Sequence, residues 1–167
     1  MKVFQIVGYK NSGKTTFTKE LITYLSARGI VVGSLKNHGH GGLPIGIEDS
    51  DSEQHRAAGS AIAGVIGDGM LQLSHATHWK VDDIFLVYEK LGTDILIVEG
   101  FKRLPFPKIV LLRKEEESPL LVQLENIKGV MKPKEVNVNS FSGAIFHDED
   151  RKKAIEWIYN SFQEGII

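Results

Sequence analysis

One eight-residue segment, Gly8-Tyr9-Lys10-Asn11-Ser12-Gly13-Lys14-Thr15, satisfies the spacing G-x-x-x-x-G-K-[ST] at every specified position. No other feature restricts the possible folds so tightly, because such a loop works only between a strand and a helix. Both neighbours are legible. Residues 3–7 are a short apolar run ending in glycine, the signature of a buried parallel strand. Residues 14–28 place Phe17, Leu21, Tyr24, Leu25 and Arg28 at helical spacing, with Gly29 positioned to stop the helix. A second strand over residues 30–35 completes a strand–helix–strand unit, which requires a right-handed crossover and a parallel sheet. With glycine at ~7% of residues, two glycines at fixed positions recur in about 0.5% of windows. The added Lys and Ser/Thr lower that by a factor on the order of 100, so accident does not compete.

The chemistry of the loop explains its composition. Successive backbone N–H groups turn toward one point and form an anion nest, which needs unusual dihedrals and close approach. The following helix aims its unpaired N–H groups and positive dipole end at the same point. Lys14 adds a mobile charge for β- and γ-phosphates, the Thr15 hydroxyl suits Mg²⁺, and Thr16 is placed for the α-phosphate. Gly8, Tyr9, Lys10, Asn11, Ser12, Gly13, Lys14, Thr15 and Thr16 are therefore the candidate triphosphate cradle. Lys14 and Thr15 are also catalytic candidates.

A metal–triphosphate site needs a carboxylate near the P-loop threonine. Glu99 directly follows the apolar run 95–98, where a buried strand emerges at the carboxyl edge of the sheet and ligands of open α/β sheets collect. It is the first candidate for the metal and for catalysis, and Gly100 beside it permits a close backbone approach. Asp51 is the second metal candidate; its competing role is capping a short helix that starts near residue 51 or 52 and ends near Gly59. Asp49 competes for either job. Lys36-Asn37-His38-Gly39-His40 follows the second strand. Lys36 suits a phosphate or a phosphorylated ligand, whereas His38 and His40 fit equally a transition metal, an anionic ligand or plain solvent exposure. Lys102 and Arg103 come directly after Gly100-Phe101 and face either an anion or solvent.

Elsewhere the chain reads as follows. Residues 37–50 form a glycine-rich loop. Residues 61–66 and 70–73 are strands of a hairpin turned by Gly67-Asp68-Gly69. Residues 81–91 are a helix with Ile84, Val87, Tyr88 and Leu91 on one face. Strands follow at 95–98 and 108–112, then an exposed charged turn at 114–119. Region 120–146 holds short β-like pieces without clear limits, and Lys132-Pro133-Lys134 reads as surface. Asp148 caps a last helix that turns Ala154, Ile155, Ile158 and Phe162 inward. The expected fold is α/β: a P-loop NTPase-like three-layer α/β/α arrangement with a mostly parallel sheet and a β-hairpin insertion. At 167 residues, residues 1–167 are read as a single nucleotide-binding domain.

Composition removes several function classes. A formal net charge of −1 gives no whole-molecule attraction to nucleic acid or anionic lipid, so neither is an expected partner. Without cysteine there is no disulfide, thiolate nucleophile or thiolate metal site. No secretory leader is legible and no apolar run approaches the ~20 residues of a membrane helix, which makes the cytoplasm the default location.

The loop at 8–15, the 36–40 segment, Asp51-Ser52 leading through Arg56 to Ala58-Gly59, Glu99-Gly100-Phe101-Lys102 and Lys108-Ile109-Val110-Leu111 occur together in this order. In combination they resemble the molybdopterin-guanine dinucleotide biosynthesis protein B family over about the first two-thirds of the chain. The resemblance implies a GTP-binding, weakly hydrolytic and commonly dimeric P-loop protein. Such a protein assists the molybdenum cofactor guanylyltransferase, which attaches GMP to molybdopterin; molybdopterin itself is a further candidate ligand. It also implies Thr15, Asp51 and Glu99 as the Mg²⁺ site and Lys36, His38 and His40 as ligand contacts, with Gly100 and Lys102 beside them. The family carries histidine directly after the lysine, where this chain has Asn37. No N-K-x-D motif is present, since Asn126-Ile127-Lys128-Gly129 lacks the aspartate, so a preference for GTP rests on the resemblance. No general base or arginine finger is legible, which predicts slow turnover unless a partner completes the site. Three other readings use the same cradle: a nucleotide-switched adaptor without relevant turnover, a small-molecule kinase, and a metallochaperone GTPase using His38 and His40.

Overall fold

The computed structural model describes residues 1–37, 50–138 and 141–167. In chain order the elements are β1 (Lys2–Gly8), α1 (Lys14–Ser26), β2 (Val32–Lys36), α2 (Asp51–Ala57), β3 (Ile62–Gly67), β4 (Met70–His75), α3 (Val81–Lys90) and β5 (Ile95–Glu99). They continue with β6 (Lys108–Leu111), α4 (Leu120–Gln123), β7 (Ile127–Lys132), β8 (Ala144–His147) and α5 (Arg151–Gln163). These elements divide between two compact units, one of Met1–Asn37 with Leu86–Ile167 and one of His38–Phe85.

The larger unit is built on a six-stranded sheet of order β2-β5-β1-β6-β7-β8, parallel at every pairing. All residues of β5 and β6 are buried, consistent with strands covered on both faces. Strand alternation sends Phe4 and Ile6 to one face and Val7 to the other. On the first face they meet Phe17, Leu21 and Leu25 of α1 and Ala154, Ile155 and Ile158 of α5. On the second, Val7 packs with Val110, Val130, Leu120 of α4 and Val136. Full burial of each large apolar side chain is worth about 1.5–3 kcal/mol, so three such residues hold α1 in place more firmly than its helix propensity does. Tyr24 and Tyr159 add an edge-to-face contact between the two helices at 5.9 Å. Tyr88 of α3 donates its hydroxyl to the Ser34 carbonyl of β2 at 2.6 Å.

The smaller unit contains α2 and the antiparallel pair β3–β4. Asp68 and Gly69 both take positive φ, the turn geometry that suits the right-handed twist of a hairpin. The α/β class, the mostly parallel sheet and the hairpin insertion match the sequence expectation.

Several local readings need correction. Asp148 does not cap the last helix; it lies in a 3₁₀ turn and pairs with Arg113, and Asp150 stands at the helix start. The 114–119 turn is not wholly exposed: Glu117 is buried because its carboxylate accepts the Arg113 N–H at 2.7 Å. Lys132 is buried as well, at the end of β7. Val87 and Leu91 are exposed, so the half-buried positions of α3 are Val81, Ile84, Phe85 and Tyr88. Ser50, not Asp51, caps α2: its hydroxyl accepts the Glu53 N–H. Among its described residues, region 120–146 holds a short helix, α4, and the strand β7, with β8 beginning at Ala144.

Candidate functional site

β1 is flanked by β5 on one side and β6 on the other, and the chain leaves it at the carboxyl edge as residues 9–13. Two residues of this loop take left-handed backbone conformations, Asn11 with φ 63° and Gly13 with φ 87°. Alternation of this kind curls consecutive N–H groups toward one side. Gly8 is required by space: a Cβ there would lie 2.5 Å from Ser12 Oγ and 2.6 Å from the Leu111 carbonyl. The resulting hollow, about 360 Å³, is lined by Asn11, Ser12, Gly13, Lys14, Thr15 and Thr16. Gly13 stands at the head of α1 with no side-chain cap, so the first amides of the helix are free of a local acceptor.

Lys14 Nζ donates to the Tyr9 carbonyl at 2.6 Å and to Ser12 Oγ at 3.5 Å, arching over the loop. Burial holds its ammonium below the usual lysine range; Glu99 opposes that, and Lys102 and Lys36 add to it. Glu99 is buried at the end of β5. The Thr15 hydroxyl donates to it, with Oγ1 at 3.0 and 3.1 Å from the two carboxylate oxygens. Lys36, the register partner of Glu99 at the end of β2, sets its Nζ 3.2 Å from Glu99 Oε1 and donates to Thr15 Oγ1 at 3.2 Å. A hydroxyl oxygen beside a carboxylate is a hard donor set of the kind Mg²⁺ takes, and the uncrowded nest suits phosphate, so the residues fit both groups.

Gly100 and Lys102 follow at once. The Gln5 side chain, buried in β1, donates to the Gly100 and Phe101 carbonyls at 3.2 and 2.9 Å and fixes this turn under the cradle. Lys102 Nζ sits 3.9 Å above the Tyr9 ring. Gly8 to Thr16, Lys36, Glu99, Gly100 and Lys102 thus belong to one unit and one sheet edge. Asp51 belongs to the other unit, where it accepts from Gln54 Nε2 at 3.4 Å. His38, His40 and Asp49 lie outside the described residues. Among the described residues no three His, Asp or Glu side chains converge as a metal cluster.

Two contributors escaped the sequence reading. Arg113, just past β6, donates Nε to the Ser12 carbonyl at 3.1 Å and pairs with Asp148, bracing the loop from its outer side. Its signal was a cation immediately after a strand that neighbours β1. Gln5 was readable as a lone amide inside an otherwise apolar strand. A larger hollow, about 610 Å³, lies along residues 148–153 and Glu20; four of its charges pair across it as Arg151–Glu20 and Lys153–Asp150, while Asp148 and Glu149 pair with Arg113 and Lys134.

A phosphate nest between a parallel strand and a helix, with a carboxylate on the adjoining strand end, defines the class: this is a P-loop NTPase-like α/β protein. Within that class, the chain belongs to the family described as molybdopterin guanine dinucleotide synthesis protein B, whose sequence pattern matches residues 3–132. It is 38% identical over 150 residues to the "Probable molybdopterin-guanine dinucleotide biosynthesis adapter protein" of Bacillus subtilis, covering 89% of this chain and 86% of that one. Solved structures agree. The crystal structure of Bacillus subtilis MobB superposes with a TM-score of 0.84 at 34% identity, covering 96% of this chain and 97% of that one. The MobB homologue from Bacillus stearothermophilus gives 0.80 at 32%, covering 98% and 99%. Among the described residues no helix is long and apolar enough to cross a membrane.

Proposed function

We propose that the protein is an adapter of molybdenum cofactor maturation that binds GTP with Mg²⁺, hydrolyses it slowly, and supports the guanylyltransferase that converts molybdopterin to its guanine dinucleotide. Family membership and the names of its relatives support the pathway. The observation that carries the nucleotide reading is the contact of Thr15 Oγ1 with Glu99 at the mouth of the amide nest. In this reading the loop amides and Lys14 bind the β- and γ-phosphate oxygens, and Thr16 the α-phosphate. Thr15 and Glu99 would hold Mg²⁺, which when bound would supply charge neutralisation at the phosphates. Lys102 and Gly100 border the ligand. In this reading the Glu99 carboxylate, which accepts from Thr15 and pairs with Lys36, serves the metal and not the attacking water, which supports slow turnover without a partner. The same reading has the protein act in the cytoplasm as a homodimer and as a single domain over residues 1–167.

Calorimetric titration with GTP and ATP, with and without Mg²⁺, tests it. We expect GTP to bind more tightly than ATP, Mg²⁺ to strengthen binding, and Lys14→Ala to weaken it at least about 30-fold, since a charge-assisted contact to phosphate is worth roughly 2 kcal/mol or more. Equal binding by wild type and Lys14→Ala would remove the cradle from the account. Free phosphate as product separates a GTPase from a kinase, which would yield a phosphorylated acceptor.

A further inference from the structure

The end of the Lys36 side chain occupies a chemically specific place. The Thr15 hydroxyl donates to Glu99 and its oxygen accepts a hydrogen bond from Lys36 Nζ at 3.2 Å, so a lone pair of the hydroxyl points at a cation. Nζ also lies 3.2 Å from Glu99 Oε1. The threonine lone pair and that carboxylate oxygen are the donors that suit a divalent ion, and both are already arranged around a positive centre. Two cations cannot share donors this close without strong repulsion.

Strand pairing fixes the base of the lysine, because Lys36 and Glu99 are in register across β2 and β5 and the Asn37 N–H donates to the Glu99 carbonyl at 3.0 Å. The tip is different. The Lys36 side chain is 60% exposed against 9% for Glu99, so it can leave for water while the carboxylate stays. Lys14, the other nearby ammonium, is turned to the Tyr9 carbonyl and Ser12 Oγ instead.

We propose that Lys36 is a built-in competitor of the divalent cation for the Thr15–Glu99 pair, and so sets the Mg²⁺ concentration at which the cradle takes metal with its nucleotide. This rests on the nucleotide reading above and names a specificity-determining residue within it. Because the lysine end of the ion pair is solvated, its effect is moderate: about three- to tenfold in apparent metal affinity.

The test is binding of a fluorescent GTP analogue over a Mg²⁺ titration and in EDTA, with wild type, Lys36→Met and Lys36→Arg, each checked by circular dichroism. Lys36→Met is expected to lower the Mg²⁺ midpoint about three- to tenfold, and Lys36→Arg to restore the wild-type midpoint. An unchanged or raised midpoint in Lys36→Met would overturn the proposal. So would a tenfold loss of analogue binding in EDTA, the behaviour of a lysine that grips phosphate. If wild type bound no analogue at any Mg²⁺ concentration, the nucleotide reading and this one would fall together; if it bound with the same midpoint in all three proteins, only this one would.

Discussion

At the scale of single residues, the cradle depends on backbone conformations that most side chains resist. Gly13 takes φ 87°, and a Cβ there would come within 2.6 Å of Arg113 Nη2. The guanidinium tip can move aside; the dihedral cannot be relieved without opening the loop. Gly13→Ala is therefore expected to cost about 1–2 kcal/mol, the penalty of the left-handed region for an L-residue. Asn11 sits at φ 63° with a Cβ already in place, so Asn11→Gly is expected to be neutral or slightly stabilising. Urea denaturation of the two variants decides the matter; equal midpoints would mean that the loop relaxes and that its geometry is not held by the surrounding fold. The residue types of this loop were legible in the sequence because the nest chemistry prescribes them. The partners of Lys36 and Arg113 were not, because those contacts join residues 63 and 101 positions apart (Lys36 with Glu99, Arg113 with Ser12) and leave no local pattern.

At the scale of elements, legibility followed periodicity. β5 is an unbroken apolar run to Glu99, β1 is broken only by Gln5 and α1 keeps a helical period, so their limits are legible to within two residues, whereas α4, β7 and β8 are short, interspersed with polar positions, and leave no clear limits. Lys108 shows what a pattern conceals: it opens a strand whose remaining residues are apolar, yet it is fully buried. Its ammonium donates to the Leu104 carbonyl at 2.7 Å and the Glu125 carbonyl at 2.6 Å, tying the segments before β6 and before β7 to the sheet. Lys108→Met would leave both carbonyls without this donor and is expected to destabilise the fold by about 2–4 kcal/mol in denaturant titration. The pH dependence has a definite sign. Burial lowers the folded-state value of Lys108 below that of the unfolded chain, with Glu125 opposing. Below the folded value both states hold the proton and the desolvation cost is complete; between the folded and unfolded values the unfolded chain binds more protons, so stability contributed by this group rises with pH. That alkaline rise is expected in wild type and missing from Lys108→Met. An identical pH profile in the two proteins would show that Lys108 ionises as it does in water.

For the whole molecule, the question is whether residues 1–167 melt together. The larger unit has two apolar cores, one on each face of its sheet. The smaller unit has almost none: Ala63 is the buried apolar residue among its described positions, while Ile66 and Met70 are 76% and 72% exposed. An isolated two-stranded hairpin of this kind is marginal in water, so it has no means of unfolding as a separate cooperative body. Scanning calorimetry is therefore expected to give one transition, and on the proposed homodimer its midpoint should rise with protein concentration. Mg²⁺ and GTP at about 100 times the dissociation constant should add about 2.7 kcal/mol and shift that transition as a whole. The shift should fall to about 0.9 kcal/mol or less in Lys14→Ala, in line with its at least 30-fold weaker binding. A second transition that ignores the nucleotide would make the hairpin unit an independent domain, and a concentration-independent midpoint would make the protein a monomer.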